Sequence, residues 1–156
     1  MTSGPRFSAR SGPPEHAPHP SPAAAVGAVL TAAFAELPEQ ARERAPLYVL
    51  CGEYTAFAAR RYVGRCHDDT RRLRPSDSTA LEPAELVRAW TTAAGHHGPC
   101  FLLDGPDWPA LGPWIAGRED AVQLDITLLD DRLPVPGCLA TATVLPALLA
   151  CPEVAG

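Results

Sequence analysis

The residues with chemistry to offer gather around one stretch. Gly98-Pro99-Cys100-Phe101-Leu102-Leu103-Asp104 runs into Gly105-Pro106-Asp107-Trp108, an apolar run closed by Asp-Gly-Pro. This pattern predicts a buried strand ending in a sharp turn, and Trp108, Leu111, Trp114 and Ile115 follow at helical spacing. A strand–elbow–helix of this kind lifts one side chain clear of a sheet and aims backbone N–H groups at a reacting carbonyl, the usual mount for a nucleophile. The elbow carries no Ser or Cys. It carries acid instead, in Asp104 and Asp107, with Asp125, Asp130 and Asp131 further on. Two carboxylates facing one pocket would support general acid–base hydrolysis, so a small enzyme using Asp107 is one reading. The other is that these aspartates are turn and cap residues.

Cys66-His67, His96-His97 and Cys100 offer soft metal ligands, and a small enzyme built on a Cys/His zinc site is a second catalytic reading. Their spacing matches no common zinc pattern, so no metal is assigned. No cofactor is implied either. Cys100 has apolar neighbours, which predicts a buried, inert thiol. Arg65, Arg71, Arg72 and Arg74 lie in the polar run from Gly64 to Thr79, read as a surface loop. Contact with a phosphate or another anion is the functional alternative, because the guanidinium fork matches phosphate.

These residues need a scaffold, and 156 residues with 46% hydrophobic content are enough for one domain with a real core. Residues 1–21 are rich in Pro, Ser, Gly and His, which predicts a disordered tail in which His16 and His19 are solvated. Residues 22–156 form the single domain. Ser21-Pro22 starts an amphipathic helix through Val26, Val29, Leu30, Phe34 and Leu37, closed before Pro38. A charged helical turn, Glu39 to Ala45, leads to a buried strand at Leu47–Cys51 and a short helix through Tyr54, Phe57 and Tyr62. Pro83 opens a second good helix that Gly95 ends. Val122–Leu129 and Cys138–Leu145 are strands joined by a short turn, so they pair antiparallel. Ala147 to Glu153 is a frayed helical end.

The net charge is -5, and all 13 basic residues are scattered arginines, which argues against a nucleic-acid partner. The absence of Lys and Asn points to a GC-rich, bacterial genome. An odd set of five cysteines without framework spacing implies free thiols in a reducing cytoplasm. The apolar Ala23–Ala35 run follows too long and Pro-rich a segment to be a leader, and no run reaches membrane-spanning length, so no membrane partner is expected.

The order of these motifs resembles the N-terminal half of the β-ketoacyl synthases, which have the thiolase fold. Gly98 to Asp104 resembles the Gly-Pro-small-Phe-x-x-Asp segment leading to their active-site elbow. Leu47–Gly52, Arg74-Pro75-Ser76, Gly117–Leu129 and Gly137–Leu145 resemble flanking segments in the same order. The resemblance implies an α/β fold, a truncated thiolase-like half with a mixed sheet of about four strands and flanking helices. It places Asp107 where the family has its nucleophilic Cys, and the half that bears the catalytic histidines has no counterpart. A carboxylate cannot replace a thiolate in thioester exchange.

The reading that follows is a non-catalytic, ketosynthase-like accessory protein of polyketide or fatty-acid biosynthesis, a pseudoenzyme; a decayed ketosynthase remnant is the alternative. The resemblance implies that the strand before the elbow pairs across a dimer axis. Phe101, Leu102 and Leu103 would then meet a second copy or a ketosynthase-like subunit, with Trp108, Leu111, Trp114 and Ile115 as a second partner face. An acyl carrier protein is the further candidate partner.

Overall fold

Ser21 starts the first helix by the expected means. Its hydroxyl accepts a hydrogen bond from the Ala24 N–H at 3.2 Å, and Pro22 occupies the first turn of α1 (Pro22–Ala35), where no N–H is needed. The short α2 (Glu39–Arg42) then closes the other end: the Arg42 guanidinium donates to the carbonyls of Ala35 and Leu37, satisfying acceptors that the helix itself leaves open. The chain continues through β2 (Leu47–Leu50), α3 (Gly52–Cys66), α4 (Pro75–Thr79) and α5 (Glu85–Ala94). Gly95 ends α5 with φ 62°, the left-handed cap that glycine adopts without steric cost. β3 (Cys100–Leu103), β4 (Ala121–Asp130) and β5 (Gly137–Leu145) follow.

The computed structural model describes residues 4–104 and 118–147. The expected elbow and its helix, with Asp107, Trp108, Leu111, Trp114 and Ile115, lie outside the described residues, and so does the chain beyond Ala147.

The fold is mixed α/β. Its five strands form one sheet in the order β1-β5-β4-β2-β3, in which β1 is Arg6–Ser11. β2 runs parallel to both β3 and β4, while β5 pairs antiparallel with β4 and with β1. The antiparallel β4–β5 pair is as expected; the strand in the tail is a correction. Residues 6–11 are ordered by register, not by composition: Phe7 and Ala9 face Ala142 and Ala140, and Ser11 is buried beside Cys138. Ser11 Oγ accepts the Cys138 N–H at 3.3 Å. Among the described residues the sheet therefore has five strands where about four were expected.

Strand alternation sorts the sheet into two unlike faces. One carries Leu47 and Val49, Val122, Leu124 and Ile126, then Cys138, Ala140 and Ala142, all buried in a single core cluster. The same cluster holds Val26, Leu30 and Phe34 of α1, Tyr54 and Phe57 of α3, and Leu86, Val87 and Trp90 of α5, so these three helices share that face. The alanines of β5 are small where α1 packs against it. Each large side chain buried there contributes roughly 1.5–3 kcal/mol. A tilted Phe34–Trp90 pair, centroids 4.6 Å apart, joins α1 to α5, and Trp90 Nε1 donates to Thr31 Oγ1 at 3.2 Å.

The Gly64–Thr79 run departs from a plain loop at both ends. α3 extends to Cys66, and Pro75 opens α4 with Asp77 as its third residue. Asp77 accepts the Arg74 N–H at 2.9 Å and an Arg71 N–H at 2.8 Å, and Arg65 donates to the Asp77 carbonyl at 3.1 Å. The Arg74 N–H, with the Arg71 and Arg65 charges, holds the Asp77 carboxyl below the usual range. Two arginines expected to meet solvent or an anion are therefore occupied in a clasp.

Candidate functional site

β3 is the last strand on its side of the sheet among the described residues. Its inner edge is fixed by the ladder: Leu47 N–H donates to the Pro99 carbonyl at 2.9 Å and Cys51 N–H to the Leu103 carbonyl at 3.2 Å. In a parallel pair, alternate residues face the partner, so the peptide groups of Cys100 and Leu102 point off the sheet. The entry to the strand is held tightly. His97 N–H donates to the Glu43 carbonyl at 2.8 Å, and a Cβ at Gly98 would lie 2.5 Å from the Arg44 oxygen, so only glycine allows the two backbones to approach this closely. A short strand with a clamped entry thus turns outward a row of donors and acceptors that no strand among the described residues takes up.

The side chains along this edge are apolar. Phe101 is 45% exposed and Leu102 42%, while Leu103 is half-buried. Cys100 is exposed, which corrects the expected buried thiol: apolar neighbours imply burial for a central strand, but an edge strand shows them to solvent. Phe101 stacks on Tyr48 of β2, rings nearly parallel at 13° and 5.2 Å apart. Burial of Tyr48, and Glu119 after it, push its phenol above the usual value, so it remains neutral.

Phe101 belongs to the second face of the sheet, which reads as rows across the strands. Arg6, Thr143, Gln123, Tyr48 and Phe101 are in register, as are Ser8, Thr141, Asp125, Leu50 and Leu103. Side chains link neighbours along and between these rows: Ser8 Oγ and Thr141 Oγ1 lie 2.9 Å apart, and Gln123 Nε2 donates to Asp125 Oδ2 at 3.0 Å. The face thus grades from charged at β1 to aromatic at β3.

Reactive groups are quiet by comparison. Cys51 sits at the end of β2, where burial raises its thiol pKa, and it receives a hydrogen bond from Thr55 Oγ1 at 3.7 Å. Cys138 is pushed up to about 11 by burial. Both are protonated at neutral pH, and the thiol is a poor nucleophile. The soft ligands do not converge: His96 Nε2 lies 2.9 Å from the Ala45 carbonyl, packed by Phe34 and Trp90, whereas Cys66 and His67 end α3. Among the described residues no three His, Cys, Asp or Glu side chains are grouped to hold a metal. The acidic residues also separate, with Asp130 capping its own turn through the Arg132 N–H, Asp131 facing Arg60 at 3.5 Å, and Asp125 on Gln123. Asp104 follows β3 directly.

Two side chains outside the expected set matter to the geometry. Glu53 Oε2 accepts the Leu128 N–H at 2.9 Å beside the β4 bulge, where β2 has ended and no strand could do so. Arg61 donates to the carbonyls of Pro134 at 2.6 Å, Asp131 at 3.4 Å and Leu133, fixing the β4–β5 turn. Neither position has a local sequence signal, since each partner is about 70 residues away.

No helix among the described residues is long and apolar enough to cross a membrane. Comparison of the chain with models of protein families, with curated proteins and with solved structures finds no match.

Proposed function

We propose that this chain works by strand pairing at β3, as a non-catalytic, ketosynthase-like accessory protein of polyketide or fatty-acid biosynthesis in the cytoplasm. The observation that carries the pairing is the β3 edge itself: outward peptide groups at Cys100 and Leu102, flanked by exposed Phe101 and Leu102. Such an edge takes up a further strand through main-chain hydrogen bonds, with side chains setting the choice of partner. The ketosynthase connection rests on the sequence resemblance, in which the strand before the elbow is the one that pairs. A parallel β3–β2–β4 set continued by antiparallel β5 supports a thiolase-like half. The partner is a second copy or a ketosynthase-like subunit, and an acyl carrier protein is the further partner this reading admits.

Size-exclusion chromatography with light scattering, on the full chain alone and mixed with a ketosynthase subunit, reads the association. Leu102→Pro removes one outward N–H and leaves the β2 ladder intact, so the complex is expected to dissociate with circular dichroism unchanged. A monomer that binds no such subunit overturns the reading, and so does a complex indifferent to Leu102→Pro.

A further inference from the structure

The arginines, scattered along the chain as a whole, thicken in one segment. The segment Arg60–Arg74 holds six of its 13 arginines against two carboxylates, Asp68 and Asp69, although the whole chain carries a net -5. Part of this basic run borders an open groove of about 430 Å³ between α3 and the turn joining β4 to β5. Arg60, Arg61 and Arg65 line it with Phe57, Gly64, Asp68 and Asp131.

The three guanidinium groups are held differently. Arg61 is fixed by three turn carbonyls and lies over the Phe57 ring, 4.9 Å from its centroid. Carbonyl dipoles orient a cation without cancelling its charge, so Arg61 is positioned and still positive. Arg65 is anchored on the Asp77 carbonyl and shares that carboxylate, 3.9 Å away, with Arg71. Arg60 is exposed and meets Asp131 at 3.5 Å, a solvated pair of little strength. Asp68 turns its carboxylate to its own loop, accepting the Thr70 N–H and hydroxyl.

Gly64 sits among these arginines in the last turn of α3, where glycine still favours the helix less than alanine does. Packing does not require it, since an added Cβ would meet nothing within 4 Å. Its effect is to leave the floor of the groove bare between the Arg60, Arg61 and Arg65 side chains.

We propose that this groove binds the phosphate group of a small phosphate ester, held by Arg61 and Arg65 and closed over by Arg60 as it leaves Asp131. None of these residues belongs to the β3 edge, so the site stands independently of strand pairing there.

Calorimetric titration of the full chain with inorganic phosphate and with pyrophosphate tests it, beside Gly64→Leu, Arg60→Gln and Asp131→Asn. Saturable binding that weakens with added NaCl is expected. Gly64→Leu should abolish it with an equal or higher melting temperature, because the substitution favours the helix while filling the floor. Arg60→Gln should weaken it at least tenfold. Asp131→Asn should tighten it several-fold by freeing Arg60, a gain that a merely structural role for these residues would not produce. Absence of saturable binding overturns the proposal. Binding indifferent to Gly64→Leu does too, since it places the anion elsewhere, and so does uptake of a polyglutamate peptide but neither phosphate, which would make the groove a protein-docking surface.

Discussion

β1 and β3 both end the sheet, yet what they turn outward differs in kind. The Val144 N–H donates to the Pro5 carbonyl at 2.9 Å, which sets the alternation along β1 so that the peptide groups of Arg6, Ser8 and Arg10 face out. Two of those three residues carry a full charge, and the chain folds back over the end of the strand: Gly12 N–H donates to the His19 carbonyl at 3.1 Å, and Ser11 bridges to His19. β3 has no charged residue between Cys100 and Leu103. Charge and a covering loop keep unwanted strands from an edge; among the described residues β3 has neither, which suits that side of the sheet to pairing. The open hydrogen bonds are alike on the two sides, and the side chains decide which edge is used.

Making β3 resemble β1 should have the largest effect. Phe101→Arg with Leu102→Lys is expected to weaken association at least 100-fold, about 2.7 kcal/mol, measured by sedimentation equilibrium with folding checked by circular dichroism. Loosening β1 from the sheet comes next. Ser11→Ala removes the hydroxyl that accepts the buried Cys138 N–H and should cost about 1 kcal/mol, seen as faster amide exchange along β1 and β5 with β3 unaffected. Making β1 resemble β3 by Arg6→Val with Arg10→Val should change stability by less than about 0.5 kcal/mol and create a weak second mode of self-association at high concentration. A change remote from both edges should leave association alone. The Asp77 carboxyl is depressed in the fold, so its contribution is fully present above the unfolded value of about 3.9 and is lost as pH falls through the lower folded value. Asp77→Asn should flatten the stability profile in that acid window, read by urea titration between pH 2 and 6, with the oligomeric state at pH 7 unchanged.

The two edges were also unequally legible in the sequence. Cys100–Leu103 is an apolar run between Gly-Pro and Asp-Gly-Pro, and both boundaries are local, so the strand is readable; its exposure is not, because nothing nearby says that no strand follows outside it. Arg6–Ser11 has only Phe7 and Ala9 to mark it, in a tail whose Pro and Gly content predicts disorder, and its partner lies at the far end of the chain. α1 and α5 announced themselves through Ser21-Pro22 and Gly95, whose roles are fulfilled within one turn. The Asp77 clasp had a local sign that charge density obscured: a Pro at the first helical position with an acid two residues later. Of the candidate site, Phe101 and Leu102 lie exposed on a strand that the sequence marks as buried, while Trp108, Leu111, Trp114 and Ile115 lie outside the described residues. Arg61 and Glu53 were not readable, because their partners become neighbours only once the sheet exists.

The pairing of Arg6 with Thr143, 137 positions apart, sets an order of events during synthesis. β1 is made before β5 and finds no ladder until β5 has emerged, so its place in the sheet stays empty until then. Closing so long a loop is slow, and the waiting strand carries Arg6 and Arg10 throughout. The charges that guard the finished edge are thus in place before the edge exists.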